Sequence, residues 1–276
     1  MSGRLVRLRD AMGRIPWLVP VRRSLASFLV MPWERPTVFG LDLASYFPAF
    51  KRGFENEPEA VEDLLTVRSH TMTKYDRCIT LHGLVRHLES RGVSGAFVEC
   101  GVWRGGSIGL MALANKRYGR ERRDLHLFDA WGEWPDPSEQ DGALFSDLQE
   151  GTLIKADSHG ALDACRDLLE RRISYPTERL HYHRGLFNQT LPAEGPAVGP
   201  IALLRLDADW YEGTRLCLEV FYDSVAAGGV VVVDDYGHAE GCRKAVDEFL
   251  QIRQPHALLH FSDYTCRYFV KDGPSG

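Results

Sequence analysis

The 276-residue sequence has six cysteines, at 78, 100, 165, 217, 242 and 266, but no CxxC pair and no spacing that would gather ligands round zinc. Several lie in apolar runs, which argues for buried thiols in a reducing cytoplasm and against a disulfide framework. A surplus of basic charge is missing too: the net charge of −5 leaves no basic footprint, so nucleic acid is not favoured as a partner. The longest apolar run near the N-terminus, LASFLVMPW, is too short to span a bilayer, and no small-residue cleavage site clearly follows it. Internal repeats, low-complexity segments and signs of a second folded domain are absent. What remains is 44% hydrophobic and 26% charged residues, the mixture of a soluble globular chain long enough for one large α/β domain with decorations.

Residues 1–33 carry six arginines (4, 7, 9, 14, 22 and 23) against one acid, Asp10. This reads chiefly as a basic amphipathic arm that packs on the domain or on a second subunit, with binding to a membrane surface the lesser reading, so a homo-oligomer, a dimer or larger, is expected. Residues 32–60 are rich in Pro, Gly and aromatics without a steady period, which suits an irregular lid segment. The expected division is an N-terminal arm and lid over 1–60 and one catalytic domain over 61–276.

Within the domain, short apolar stretches alternate with helical patterns: AFVEC, LHLFDA, RLHYHRG, IALLRLDADW and VVVVDDYG are strands. HALLHF and YTCRYFV suit an antiparallel pair that finishes the sheet. The expected fold is a doubly wound, mostly parallel, seven-stranded Rossmann-like sheet. KRYGRERRD (116–124) reads as a solvated charge run, FNQTLP as the start of a loop to Pro200, and YEGTRLCLEVFYDSVAAGG as a helix closed by Gly228 and Gly229.

The sheet is organised around AFVECGVWRGGS (96–107), where a strand runs into a turn too glycine-rich for a helix interior. Gly101, Gly105 and Gly106 remove side chains that would hold backbone amides away from a ligand. Ser107 is placed to cap the next helix, whose N-terminal amides favour negative ligand groups, and Glu99 stands where a carboxylate meets a ligand's amine or hydroxyl. GxGxxG is absent, so a dinucleotide pyrophosphate fits poorly. An acid before the first glycine suits a cofactor with a cationic amino-acid tail and no phosphate, such as S-adenosylmethionine (SAM). Asp129, at the end of the second strand, is placed for ribose hydroxyls.

Asp207 and Asp209 end one strand, and Asp234 and Asp235 end the next. Neighbouring parallel strands would bring these carboxylates together beside the glycine turn, about 4.8 Å between strands. Such crowding needs a cation, and oxygen ligands suit Mg²⁺ or a relative. Helix capping and a metal-binding DxD of the sugar-nucleotide transferase kind are the competing readings.

FVECGVWRGGS, LFDA, TLP, LLRLDADWYEGT, GGVVVVDDYGH and KAVDEF together resemble the macrocin O-methyltransferase family over about residues 70–270. Those are SAM- and Mg²⁺-dependent enzymes of antibiotic biosynthesis that methylate sugar hydroxyls on macrolides and, in a novobiocin-type branch, on aminocoumarins. The resemblance implies that Glu99, Gly101, Gly105 and Ser107 hold the methionine end of SAM, and that Asp129 takes the ribose. The loop after RLHYHRG, from Gly185, would shape the adenine pocket. Asp207, Asp234 and Asp235 would be the metal ligands and Asp209 the general base, with His238 a weaker candidate for that role. The acceptor implied is a deoxysugar of a small glycosylated natural product, with a catechol or polyol acceptor as the alternative. WGEWPDP replaces the family's EGMPxP-like run, and 143–165 is unusual; both flank the expected acceptor pocket.

Overall fold

The computed structural model describes residues 37–38, 41–42, 57–132, 135–142 and 160–273. The expected basic arm lies outside the described residues, as does most of the lid segment. The chain divides into two compact units, residues 1–55 with 73–76, and residues 56–72 with 77–276. In the first, Thr37–Val38 and Leu41–Asp42 pair as a short antiparallel hairpin.

The second unit is built on a seven-stranded sheet. Its strands are β1 (Ala96–Cys100), β2 (Leu125–Asp129), β3 (Leu180–Arg184), β4 (Ile201–Leu206), β5 (Val225–Val233), β6 (His260–Phe261) and β7 (Arg267–Val270). They lie in the order β3-β2-β1-β4-β5-β7-β6. The first five run parallel, β7 is antiparallel to β5, and β6 is antiparallel to β7. The described helices are α1 (Glu57–Val67), α2 (Tyr75–Arg91), α3 (Gly106–Tyr118), α4 (Ala161–Arg166), α5 (Phe187–Glu194), α6 (Tyr211–Phe221) and α7 (Glu240–Arg253). The doubly wound α/β sheet read from the sequence is the fold found.

Local chemistry explains the pattern. β4, IALLRL, is buried at all six positions because helices cover both faces of a central parallel strand. Val230–Val233 of β5 are buried in the same way, and β-branched side chains suit that pleated surface. Val98, Leu204, Val231 and Phe269 of the sheet share a core with Leu191 of α5, Leu218 and Phe221 of α6, and Val246 and Leu250 of α7. Each of the fully buried phenylalanines contributes about 2 to 3 kcal/mol by leaving water. α3 packs on β1 and β2, with α1 and the wide-turned segment Asp167–Arg172 beside it.

Two boundaries differ from those read in the sequence. FNQTLP opens a helix, α5, rather than a loop, despite Pro192 inside it. Leu191 sinks into the core there, so packing outweighs the backbone N–H that proline lacks. α6 stops at Phe221, and β5 takes in Val225 to Gly229, which the helical pattern had absorbed. The run at 116–124 is exposed at Lys116, Arg117, Arg120 and Glu121, as read, yet several of its cations also bond inward. Lys116 donates to the Ile173 carbonyl at 2.6 Å, and Arg117 grips Asp63 at 2.7 Å. Arg122 closes the end of α3 on the carbonyls of Asn115 and Gly119, and Arg123 ties Glu89 to the Gly95 and Val93 carbonyls. Cations at a helix C-terminus satisfy carbonyls that have no partner within the helix.

The order reverses at β1: the chain winds outward to β2 and β3, then returns to β4 on the other flank. That switch point, at the carboxyl ends of the strands, is where open α/β sheets bind ligands.

Candidate active site

The glycine turn leaves β1 at this point. Gly101 has φ +89°, and a Cβ there would overlap the carbonyl oxygen of Asp207. Its N–H donates to the Phe128 carbonyl at 2.9 Å, while the Asp207 N–H donates to the Cys100 carbonyl at 2.8 Å. Three strand ends are thereby stitched together. At Gly105 (φ +82°) a Cβ would overlap the Cys165 sulfur, so this glycine answers to packing as well as to ligand access.

Ser107 does not cap α3. Gly105 occupies the cap position and Ser107 lies in the first helical turn. The cap comes from the strand, because Glu99 Oε2 accepts the Ile108 N–H at 3.0 Å. Glu99 Oε1 takes Arg205 Nη1 at 2.7 Å. Only 1% of Glu99 is exposed, so its carboxylate supports the turn from behind and does not face the crevice openly. Burial pushes Glu99 up to about 8, and the adjacent Arg205 guanidinium opposes that shift.

Asp129 and Gly185 come together across β2 and β3, with the Gly185 N–H donating to the Asp129 carbonyl at 3.0 Å. The Asp129 side chain collects the turn: Oδ2 accepts the N–H groups of Val102 (2.6 Å) and Trp103 (2.8 Å), and Oδ1 that of Trp131 (2.6 Å). Trp131 Nε1 then donates to the Trp103 carbonyl. Trp103 (φ +50°), Trp131 (φ +45°) and Asp209 (φ +54°) are three of the four non-glycine residues with positive φ among the described residues. Each such residue costs on the order of 1 to 2 kcal/mol, and their gathering at one crevice is the pattern of a functional site.

The carboxylates converge as the sequence predicted for the two strand ends. Leu206 pairs with Val233, so Asp207 and Asp234 leave neighbouring strands side by side, and the Asp234 N–H donates to the Leu206 carbonyl at 2.8 Å. Asp207, Asp234 and Asp235 each offer an oxygen, all within 4.8 Å of one another. Asp235 Oδ2 is buried and has no hydrogen-bond partner among the described residues. An orphaned carboxylate oxygen in an all-oxygen donor set is what a hard divalent cation would satisfy, so these residues fit such an ion. Burial, then the negative charges of Asp209, Asp207 and Asp234, drives the Asp235 carboxyl well above the usual carboxylate range. Asp209 is raised likewise, by burial and by Asp207 and Asp234. The strand ends at Leu206, so Asp207 and Asp209 lie just beyond it, and Asp209 has a left-handed backbone (φ +54°). His238 is exposed, and its N–H donates to the Asp235 carbonyl.

Sequence reasoning missed two cations and two anchors. Arg205, in the middle of an apolar strand, is fully buried and reaches Glu99 (2.7 Å), Asp207 (2.9 Å) and Asp234 (2.6 Å). Arg77 of α2 pairs with Asp234 and, at 2.9 Å, with Asp263. Asp263 Oδ1 in turn accepts the N–H groups of Thr265 and Cys266, which fixes it in the turn before β7. A charge inside LLRLD was a visible signal; nothing local marks Arg77 or Asp263. The other anchor, Asp141, fastens residues 135–142. Its Oδ1 accepts the Tyr211 N–H, Oδ2 accepts from Ser138, and Trp210 Nε1 donates to the Pro135 carbonyl at 3.2 Å.

This strand order and crevice define a methyltransferase of the SAM-dependent seven-stranded type. The solved O-methyltransferase NovP matches with a TM-score of 0.64 and 29% identity, over 74% of this chain and 83% of that one. A calicheamicin methyltransferase matches with a TM-score of 0.55 at 20% identity, over 81% of this chain and 96% of its own, and shows the fold alone. The family model of macrocin O-methyltransferase (TylF) matches residues 49–271, and the chain belongs to that family. It is therefore an enzyme, a SAM-dependent O-methyltransferase, and the sugar-nucleotide transferase reading falls away. The chain is 30% identical over 204 residues (71% of this chain, 75% of the relative) to the 8-demethyl-8-(2,3-dimethoxy-alpha-L-rhamnosyl)-tetracenomycin-C 4'-O-methyltransferase of Streptomyces olivaceus. It is 32% identical over 184 residues (66% and 68%) to the demethyldecarbamoylnovobiocin O-methyltransferase of Streptomyces niveus. Among the described residues, no helix is long and apolar enough to cross a membrane.

Proposed function

We propose that this enzyme methylates a hydroxyl of a deoxysugar on a small glycosylated natural product, with a divalent ion held by Asp207, Asp234 and Asp235. The observation that carries the ion is the orphaned, buried Asp235 Oδ2 beside the two neighbouring carboxylates. The rhamnosyl acceptor in the name of the Streptomyces olivaceus relative supports the sugar. When bound, the ion supplies Lewis acidity that lowers the pKa of an acceptor hydroxyl, and SAM supplies the electrophilic methyl group.

The chain's own residues do the rest. Asp209 takes the hydroxyl proton on its carboxylate. Asp129 orients the ribose, with Gly185 beside it at the rim of the adenine pocket. The amides at the start of α3, with Gly101, Gly105 and Ser107, hold the methionine end of the cofactor, and Glu99 keeps that helix start in place from behind. Transfer is then chiefly a matter of alignment. The six buried free thiols suit a cytoplasmic enzyme.

The test is transfer from labelled SAM to a panel of glycosylated macrolides, aminocoumarins, rhamnosylated aromatic polyketides and simple catechols, with EDTA and with added Mg²⁺. Labelling of a glycoside that EDTA abolishes and Mg²⁺ restores is the expected result. Full turnover in EDTA would remove the ion from the reading, and labelling of catechols alone would remove the sugar.

A further inference from the structure

Five side chains in the site form an unbroken chain of alternating charge. It runs from Asp263 to Arg77, from Arg77 to Asp234, from Asp234 to Arg205, and from Arg205 to Glu99. Asp207 branches from the same Arg205. The chain joins two regions that the sequence presents as separate motifs, the glycine turn and the acidic strand ends.

Arg205 is the joint. Nη1 holds Glu99 Oε1 at 2.7 Å and Asp207 Oδ2 at 2.9 Å, while Nη2 holds Asp234 Oδ1 at 2.6 Å. The planar fork of a guanidinium fixes three carboxylates at once, which the point charge of a lysine cannot do. A second link is steric: the Gly101 turn sits against the Asp207 carbonyl with no space for a side chain, and the Asp207 N–H closes on Cys100. Glu99 in turn caps α3 through the Ile108 N–H.

We infer that Arg205 is a positioning residue that couples the cofactor turn to the divalent-ion site, so that each ligand binds more tightly once the other is in place. This rests on the ion assignment made above. A dication at Asp207 and Asp234 takes over part of the charge that Arg205 balances. Arg205 then bears more fully on Glu99, which steadies the N-terminus of α3 where the cofactor lies. By linkage the effect is reciprocal: cofactor binding must tighten the ion to the same degree. The remaining arm, Arg77 held by Asp263, keeps the far oxygen of Asp234 in register and limits how far the carboxylate turns away when Arg205 is disturbed.

The experiment is calorimetry on the full chain, with S-adenosylhomocysteine titrated in EDTA and in saturating Mg²⁺, and with Mg²⁺ titrated alone. For the natural sequence, Mg²⁺ should tighten S-adenosylhomocysteine about five-fold or more, within the usual span of coupling energies. Arg205→Lys keeps the charge but loses the fork, and should bind both ligands with the coupling reduced to near one. Should that variant not fold, Glu99→Gln removes the cofactor-side arm while leaving Asp207 and Asp234 paired, and it should lose the coupling in the same way. Equal affinity for S-adenosylhomocysteine with and without Mg²⁺ in the natural sequence overturns the inference. So does coupling that persists in both variants. Failure of Mg²⁺ to bind the natural chain in its own titration overturns the ion assignment first and the inference with it, an outcome distinct from binding without coupling.

Discussion

Asp141 accepts the backbone N–H of Tyr211 at 2.7 Å across seventy residues of sequence. Tyr211 opens α6 directly after the LDADW segment, so one carboxylate fastens residues 135–142 to the exit of β4. Its second oxygen holds Ser138, and a Cβ on Gly241 would strike Asp141, so α7 closes the arrangement from the other side. Asp141→Ala leaves the Tyr211 N–H without its acceptor in a buried place, at a cost of about 1 to 3 kcal/mol. The midpoint of urea unfolding should fall accordingly. Acceptor KM should rise several-fold, with S-adenosylhomocysteine affinity nearly unchanged. Unaltered acceptor KM in a destabilised variant would confine Asp141 to stability.

Gly101→Ala should be far more damaging. The left-handed backbone alone costs about 1 to 2 kcal/mol, and the added methyl overlaps the Asp207 carbonyl. A thermal melt should show a lowered midpoint, and S-adenosylhomocysteine binding should weaken by more than an order of magnitude. A variant that melts and binds normally would mean that the stitch between β1 and β4 is slack.

Asp209→Asn tests the proton acceptor. The substitution nearly preserves shape and removes the carboxylate, so cofactor affinity should hold while kcat falls by about 10² to 10⁴. Steady-state kinetics on the best acceptor measures this, and unchanged kcat excludes Asp209 as the base.

His126 supplies a pH dependence of stability that lies away from the chemistry. It is buried, stacked on His181 at 4.4 Å with its Nδ1 3.0 Å from His183 Nε2, and burial, with the electrostatic influence of His181 and His183, holds it down at about 4. The unfolded chain binds this proton near pH 6.5 and the native chain only near 4. The native state therefore has its full advantage above pH 6.5 and loses it progressively as the pH falls toward 4. The limiting loss is about 3 kcal/mol. Urea unfolding at pH 7 and pH 5 should show the decline, and His126→Phe, which keeps a flat ring in the stack, should flatten it. An equal decline in that variant would assign it to other groups.

Much of the protein is written locally. Alternating apolar and polar stretches fix most strands and helices, because side-chain period follows directly from backbone geometry. The AFVECGVWRGGS turn, Asp129, and the acidic pairs after IALLRL and VVVV could be placed at strand ends for the same reason, and parallel winding then brings those ends to one edge. Only the tertiary structure decided what the side chains at that edge do. Ser107 yields the cap of α3 to Glu99, which is nine residues from Ile108 in sequence yet in hydrogen-bond reach of its N–H. Arg205 meets Glu99 across 106 residues, and Arg77 meets Asp234 across 157. A buried charge is balanced by whichever partner the packed sheet delivers, and sequence distance carries no record of that choice. The residues that line the strand ends were therefore legible from their neighbours in the chain, while the cations that hold them became visible only with neighbours in space.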